Sequence, residues 1–109
     1  MKDDRLYLIH ILECIEHIES YVKDINKETF MNSTIVQDAV LRNLQVMAES
    51  TQRLSDNTKQ AQPDIDWYRI AGFRNVLVHD YLGIDIETVW NIIEKDIAAL
   101  KGAVNLMMS

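Results

Sequence analysis

Residues 8–25 read LIHILECIEHIESYVKDI, and their apolar members Leu8, Ile11, Ile15, Ile18, Val22 and Ile25 recur at alternating spacings of three and four. That period matches the turn of an α-helix and not the two-residue repeat of a strand. A long amphipathic helix is therefore expected from Asp3 to about Ile25. Leu6, Ile9, Leu12 and Cys14 widen its apolar stripe, which calls for more than one neighbour.

The same period continues outward. A second helix is expected from about Ser33 to Leu54, with Thr34 and Gln37 at capping-box spacing and Val36, Val40, Leu44, Met47, Thr51 and Leu54 along one side. The segment SDNTKQAQPDID, residues 55–66, holds the only proline and many residues that compete for backbone hydrogen bonds, so it reads as a loop. Asp64 or Asp66 then caps a third helix running from Trp67 to about His79, and Gly83 breaks the pattern. Asp85 is the expected N-cap of a fourth helix carrying Ile86, Val89, Ile93, Ile97, Leu100, Val104 and Met107 at three-four spacing.

With 109 residues there is room for one domain and one core. Three glycines, one proline and scarce strand-like alternation favour helices joined by short links. The expected fold is all-α, a single domain over residues 1–109. Its economical topology is an antiparallel four-helix bundle, with a short extra helix allowed. No internal repeat or low-complexity tract interrupts it.

Composition narrows the function classes. The formal charge of −6 repels polyanions on average and argues against sequence-blind nucleic-acid binding, so any RNA contact must be local. A single cysteine, Cys14, cannot close an internal disulfide, and the chain shows neither a signal pattern nor an apolar run of membrane-spanning length. A cytoplasmic, membrane-free protein is expected.

The third helix breaks the pattern. At 100° per residue, Trp67, Ile70, Ala71, Arg74, Leu77, Val78 and Tyr81 share one stripe, with Arg74 in the middle of an apolar face. A buried, unpaired guanidinium costs several kcal/mol, so Arg74 requires a carboxylate, a phosphate or a wet cleft beside it. A narrower stripe holds Gly72, Asn75, Val76 and His79, and the bare glycine suggests close approach by another helix or a ligand. Arg74 and His79 are five residues apart, about 140° around a straight helix, and cannot easily reach one phosphate together. Either the helix ends before His79 and redirects it, or two copies of the helix share a site. A structural reading stays open beside these: Arg74 pairs with a core carboxylate such as Glu49, while His79 and Asp80 terminate the helix.

The stretch Arg74-Asn75-Val76-Leu77-Val78-His79-Asp80-Tyr81 resembles the R-x-x-x-x-H-x-Y signature of HEPN domains, specifically the HepT toxins paired with MntA nucleotidyltransferase antitoxins. The run from Trp67 to Asn75 is similar to that family's W-R-x-x-A-G-x-R-[ND] approach, with Tyr68 as a one-residue difference in spacing. Ala39 to Glu49 resembles its second-helix block, where the family usually has glycine in place of Ala48.

The resemblance implies a HEPN-type bundle, a homodimer whose two motifs line a cleft, and metal-independent cleavage of cellular RNA, tRNA being the best-known substrate class. It implies no cofactor. Arg74 and His79 become the expected catalytic pair, with Asn75 supporting them. Tyr81 becomes the phenol to which an MntA-like partner transfers AMP. The residue types suit that chemistry: an imidazole, with its ordinary pKa of about 6.5, exchanges protons near neutrality, and a guanidinium forks onto phosphate oxygens. One histidine per chain cannot be both base and acid without help from water, whereas a dimer supplies two. Two other readings remain: a non-catalytic nucleotide- or substrate-binding module serving a separate nucleotidyltransferase, and a purely structural dimerisation bundle.

Arg42 and Arg69 could extend a local basic rim for RNA, or pair with Asp38 or Asp66. Trp67 and Trp90 could stack on bases, but their places on apolar stripes favour packing. His10, Cys14 and His17 fall near one face of the first helix without completing a ligand set, so no metal site is expected.

Overall fold

The computed structural model describes the backbone of residues 2–79 and 85–109, and the side chains of residues 4–73 and 85–109. Helix α1 spans Lys2–Val22, α2 Lys27–Met31, α3 Thr34–Gln52, α4 Asp56–Gln60 and α5 Trp67–His79. The C-terminal helix begins as α6, Ile86–Asn91, passes through a π-helical stretch, Ile92–Ile97, and ends as α7, Ala98–Met108. Among the described residues there is no strand, and the all-α bundle expected from the apolar periods is what forms.

The seam of α1 packs as its spacing requires. Ile11, Ile15 and Ile18 are fully buried, with Leu8 and Cys14 nearly so. Each such aliphatic side chain contributes about 1.5–3 kcal/mol by leaving water. The helix stops at Val22, short of the expected Ile25, because Asp24 takes a left-handed conformation with φ 63°. Aspartate tolerates that region better than most side chains. Asn26 then caps α2, its side-chain oxygen accepting from the Thr29 N–H at 2.8 Å.

Helix α3 starts on a different cap from the one expected. Ser33 Oγ accepts from the Val36 N–H at 3.3 Å, while the Gln37 amide turns away and donates to the Phe30 and Met31 carbonyls at 2.9 and 3.0 Å. The reciprocal box gives way because α2 leaves open carbonyls within reach. Val40, Leu44, Met47 and Thr51 then form the buried seam, with Ala48 beside it.

The segment expected to be a loop contains α4. Ser55 caps it, accepting from the Thr58 N–H at 3.2 Å, and Asp4 of α1 holds both residues. The Asp4 carboxylate accepts from Ser55 N–H at 3.1 Å, from Ser55 Oγ at 2.6 Å and from the Thr58 hydroxyl. This contact joins the start of α1 to the chain just past the end of α3. His17 Nδ1 lies 3.2 Å from Asn43 Oδ1 further along, so α1 and α3 run antiparallel.

Two caps fall where expected. Asp66 Oδ1 accepts from Arg69 N–H at 3.0 Å at the start of α5, and Asp85 Oδ1 accepts from Glu87 and Thr88 N–H at 3.1 and 3.3 Å at the start of α6. Gly83, the expected helix breaker, lies outside the described residues.

The C-terminal helix departs from a plain three-four period. Ile92 and Ile97, five residues apart, are both buried, whereas Ile93 is only half-buried. A π turn closes on i→i+5 and so brings residues five apart onto one face. Trp90 is buried against Phe30, with ring centroids 5.1 Å apart, which makes it a core residue and unavailable for base stacking.

Hydrogen bonds from Ser55 and then Thr58 hold the Asp4 carboxyl below its usual 3.8. Stabilisation from a carboxyl depressed on folding is complete above its unfolded value of about 3.9 and is lost as pH falls through the folded one. Asp4→Ala should cost about 1–3 kcal/mol at neutral pH by stranding these donors. Thermal melts from pH 7 to pH 3 should show the gap to the parent narrowing below about pH 4. A gap of constant size across that range would contradict the role given to Asp4.

Candidate active site on α5

Helix α5 lies on α3 and is anchored by three side chains near its start. Ile70 is 3% exposed and Phe73 6%. Trp67 is half-buried, and its Nε1–H donates to the Lys59 and Gln62 carbonyls at 3.0 and 3.2 Å. Trp67 thereby ties the helix to the α4 segment, a structural role in place of base stacking. Phe73 was absent from the expected stripe; its burial shows that the apolar face of α5 is broader than the projection gave.

Arg69 forms a clasp to the C-terminal helix. Its Nε and Nη2 donate to the two Asp96 carboxylate oxygens at 3.1 and 3.2 Å, and its guanidinium sits 5.6 Å from the Phe73 ring centroid. The hydrogen bonds and charge of Asp96 push the Arg69 pKa further up. The Nε/Nη2 edge of the guanidinium is thus committed within the chain. Asp66, weighed as its partner, instead caps its backbone N–H. Asp96 was not singled out from the sequence; it sits in the π-helical stretch, 27 residues away, where no local pattern marks it.

Arg42, the other member of the expected basic rim, is exposed on α3 and has no ion-pair partner among the described residues. Glu49, the carboxylate weighed against a functional Arg74, is half-buried on the same helix.

The α5 backbone remains helical through His79. This removes the option in which the helix ends first and redirects the imidazole. Positions 74 and 79 stay about 140° apart around the axis and about 7.5 Å apart along it. The side chains of Arg74, Asn75 and His79 lie outside the described residues, as do Asp80 and Tyr81 entirely. Gly72 is described, and a Cβ built there would meet nothing within 4 Å among the described residues. Among the described residues no other helix presses on that face.

His10, Cys14 and His17 do not converge. Cys14 is buried in the core, with burial pushing its thiol pKa up, whereas His10 and His17 are exposed. Among the described residues no group of three or more histidine, cysteine, aspartate or glutamate side chains could hold a metal ion. No described helix is long and apolar enough to cross a membrane.

Comparison with known proteins adds to this geometry. The family model described as "Ribonuclease HepT-like" matches residues 11–107. "Gamma-glutamylcyclotransferase and putative RNase MJ0434" of Methanocaldococcus jannaschii is 38% identical over 100 residues, covering 92% of this chain. Only 45% of that longer protein is matched, so the chain spans less than half its length. "Probable ribonuclease HepT" of Thermococcus cleftensis is 35% identical over 96 residues, 88% of this chain and 87% of that one. "Putative RNase MJ1380" of M. jannaschii is 29% identical over 106 residues, 97% of each chain. No solved structure matches. A helical bundle that carries Arg74 and His79 on one unbroken helix, and matches the family model almost from end to end, belongs to the HepT-like ribonucleases of the HEPN class.

Proposed function

We propose that this ribonuclease is the toxin of a type VII toxin–antitoxin pair and cuts RNA, with tRNA as the substrate class, without a metal ion. Its site is shared by two copies of the chain. The observation that carries the shared site is the unbroken helix through His79. One straight helix does not easily aim both residues at one phosphate, whereas two helices brought together can complete each other's site.

The chemistry needs a base, an acid and a cation. One His79 imidazole takes the proton from a ribose 2′-hydroxyl, whose oxygen forms a bond to the adjacent phosphorus. The bond from phosphorus to the 5′-oxygen breaks, and an imidazolium from the second copy protonates that leaving oxygen. The products are a 2′,3′-cyclic phosphate and a 5′-hydroxyl. Arg74 binds the non-bridging oxygens as charge builds on them, and Asn75 supports the pair. Arg42, exposed on α3, remains available to the RNA backbone, whereas Arg69 has one edge held by Asp96.

Neutralisation would act at Tyr81. The phenol oxygen attacks the α-phosphorus of ATP on an MntA-like nucleotidyltransferase, pyrophosphate leaves, and a base on that partner takes the phenolic proton. The attached AMP places negative charge and bulk two residues from His79, where an RNA backbone would be repelled.

Purified protein incubated with total RNA in EDTA should cleave it, and Arg74→Ala and His79→Ala should each lower the rate by about 100-fold or more. Equal cleavage by all three proteins would overturn the catalytic assignment. Absence of cleavage by the parent would favour a binding module that serves the nucleotidyltransferase. Separately, intact-mass measurement after incubation with the cognate nucleotidyltransferase and ATP should show AMP on the parent and none on Tyr81→Phe; an unmodified parent would remove Tyr81 from the account.

A further inference from the structure

Tyr68 is 91% exposed, the most exposed of the described aromatic residues. Tyr21, 38% exposed, lies 6.4 Å from the His17 ring, and the others have clear places in the fold. Phe30, Phe73 and Trp90 are buried, Trp67 is pinned through its indole N–H, and Tyr7 lies under the Arg53 guanidinium at 6.0 Å. Tyr68 has no such contact among the described residues.

Its place on α5 gives that exposure meaning. Positions 68, 72, 75 and 79 follow one another at spacings of four, three and four, which confines them to an arc of about 60° on a straight helix. Tyr68 therefore shares its helix face with the positions of Asn75 and His79. Gly72 lies between them, and the space where its side chain would be is open among the described residues. A flat aromatic ring, then a stretch of bare backbone, then the proposed proton-transfer residue follow one another over about 16 Å of helix.

We infer that Tyr68 is a stacking subsite for an unpaired nucleobase of the substrate RNA, with the strand passing over Gly72 towards His79. This rests on the ribonuclease reading of the same helix. An unpaired base exposes a π-face that a phenol can cover, and stacking does not depend on a high density of positive charge. That suits a chain of net charge −6 in which Lys27, Arg69 and Lys101 are each paired with a carboxylate. A second copy packing directly on this stripe would favour a continuous apolar patch, yet its described part offers one ring and one glycine. The substrate implied is single-stranded or looped RNA, because a paired base has its faces occupied by neighbours.

Binding is tested on His79→Ala protein, so that the RNA survives, with a single-stranded oligoribonucleotide carrying 2-aminopurine and the same strand annealed to its complement. Adding Tyr68→Ala should weaken single-strand binding by about 5- to 100-fold. Tyr68→Phe and Tyr68→Trp should keep it, and duplex affinity should hardly change. On the cleavage-competent background Tyr68→Ala should raise KM and leave kcat within about twofold. Unchanged single-strand affinity, or equal losses for single strand and duplex, would overturn the subsite. So would a fall in molar mass by light scattering in Tyr68→Ala alone, which would make the residue part of a contact between copies. Weaker single-strand binding on Tyr68→Ala, in a protein whose parent form never cleaves RNA, would retain the subsite while removing the ribonuclease reading, so the two failures are distinguishable.

Discussion

Helix α3 has to bury two sides at once, and the rest of the molecule is arranged around that demand. Its fully buried residues, Val40, Leu44, Met47 and Ala48, serve α1 on one flank and α5 on the other. Ala48 shows how tight this is, for its methyl group is completely covered. Because α5 leans on α3 through Ile70 and Phe73, Tyr68 and Gly72 are left open among the described residues.

What holds α5 in this pose is a small set of directional contacts superimposed on the core. Asp66 fixes where the helix begins, Trp67 fastens it to the α4 segment, and Arg69 reaches Asp96 on the C-terminal helix. The Arg69–Asp96 pair is half-exposed and bidentate; such pairs contribute modestly to stability but restrict rotation about the helix axis. The π-helical stretch brings Ile92 and Ile97 onto the same buried face while Asp96 meets Arg69 beside it. Helix orientation, and with it the direction in which positions 74 and 79 project, follows from these contacts together with the burial of Ile70 and Phe73.

Features governed by neighbours in sequence were legible in advance. The three-four seams of α1 and α3, the span of α5, and the Asp66 and Asp85 caps all follow from a few consecutive residues. Features governed by distant residues were not. Helix α4 depends on Asp4, which is 51 residues from Ser55, and the Arg69 pairing depends on a carboxylate 27 residues away. The early end of α1 required the backbone angle of Asp24, and the adjacent Ile92 and Ile93 concealed a phase shift that a uniform period cannot detect. For the candidate site, helix register made the angle between Arg74 and His79 readable, whereas the exposure of Tyr68 and the open side of Gly72 emerged only with the fold.

The central claim is that one site draws on two copies of the chain. Mixing parent and His79→Ala protein in equal amounts, with full subunit exchange before the RNA is added, tests this most directly. If both copies complete each site, only dimers of two parent chains cut, and the rate falls to about a quarter of the rate for the same total amount of parent protein. A rate of about one half would mean that each chain cuts alone, and would contradict the shared site.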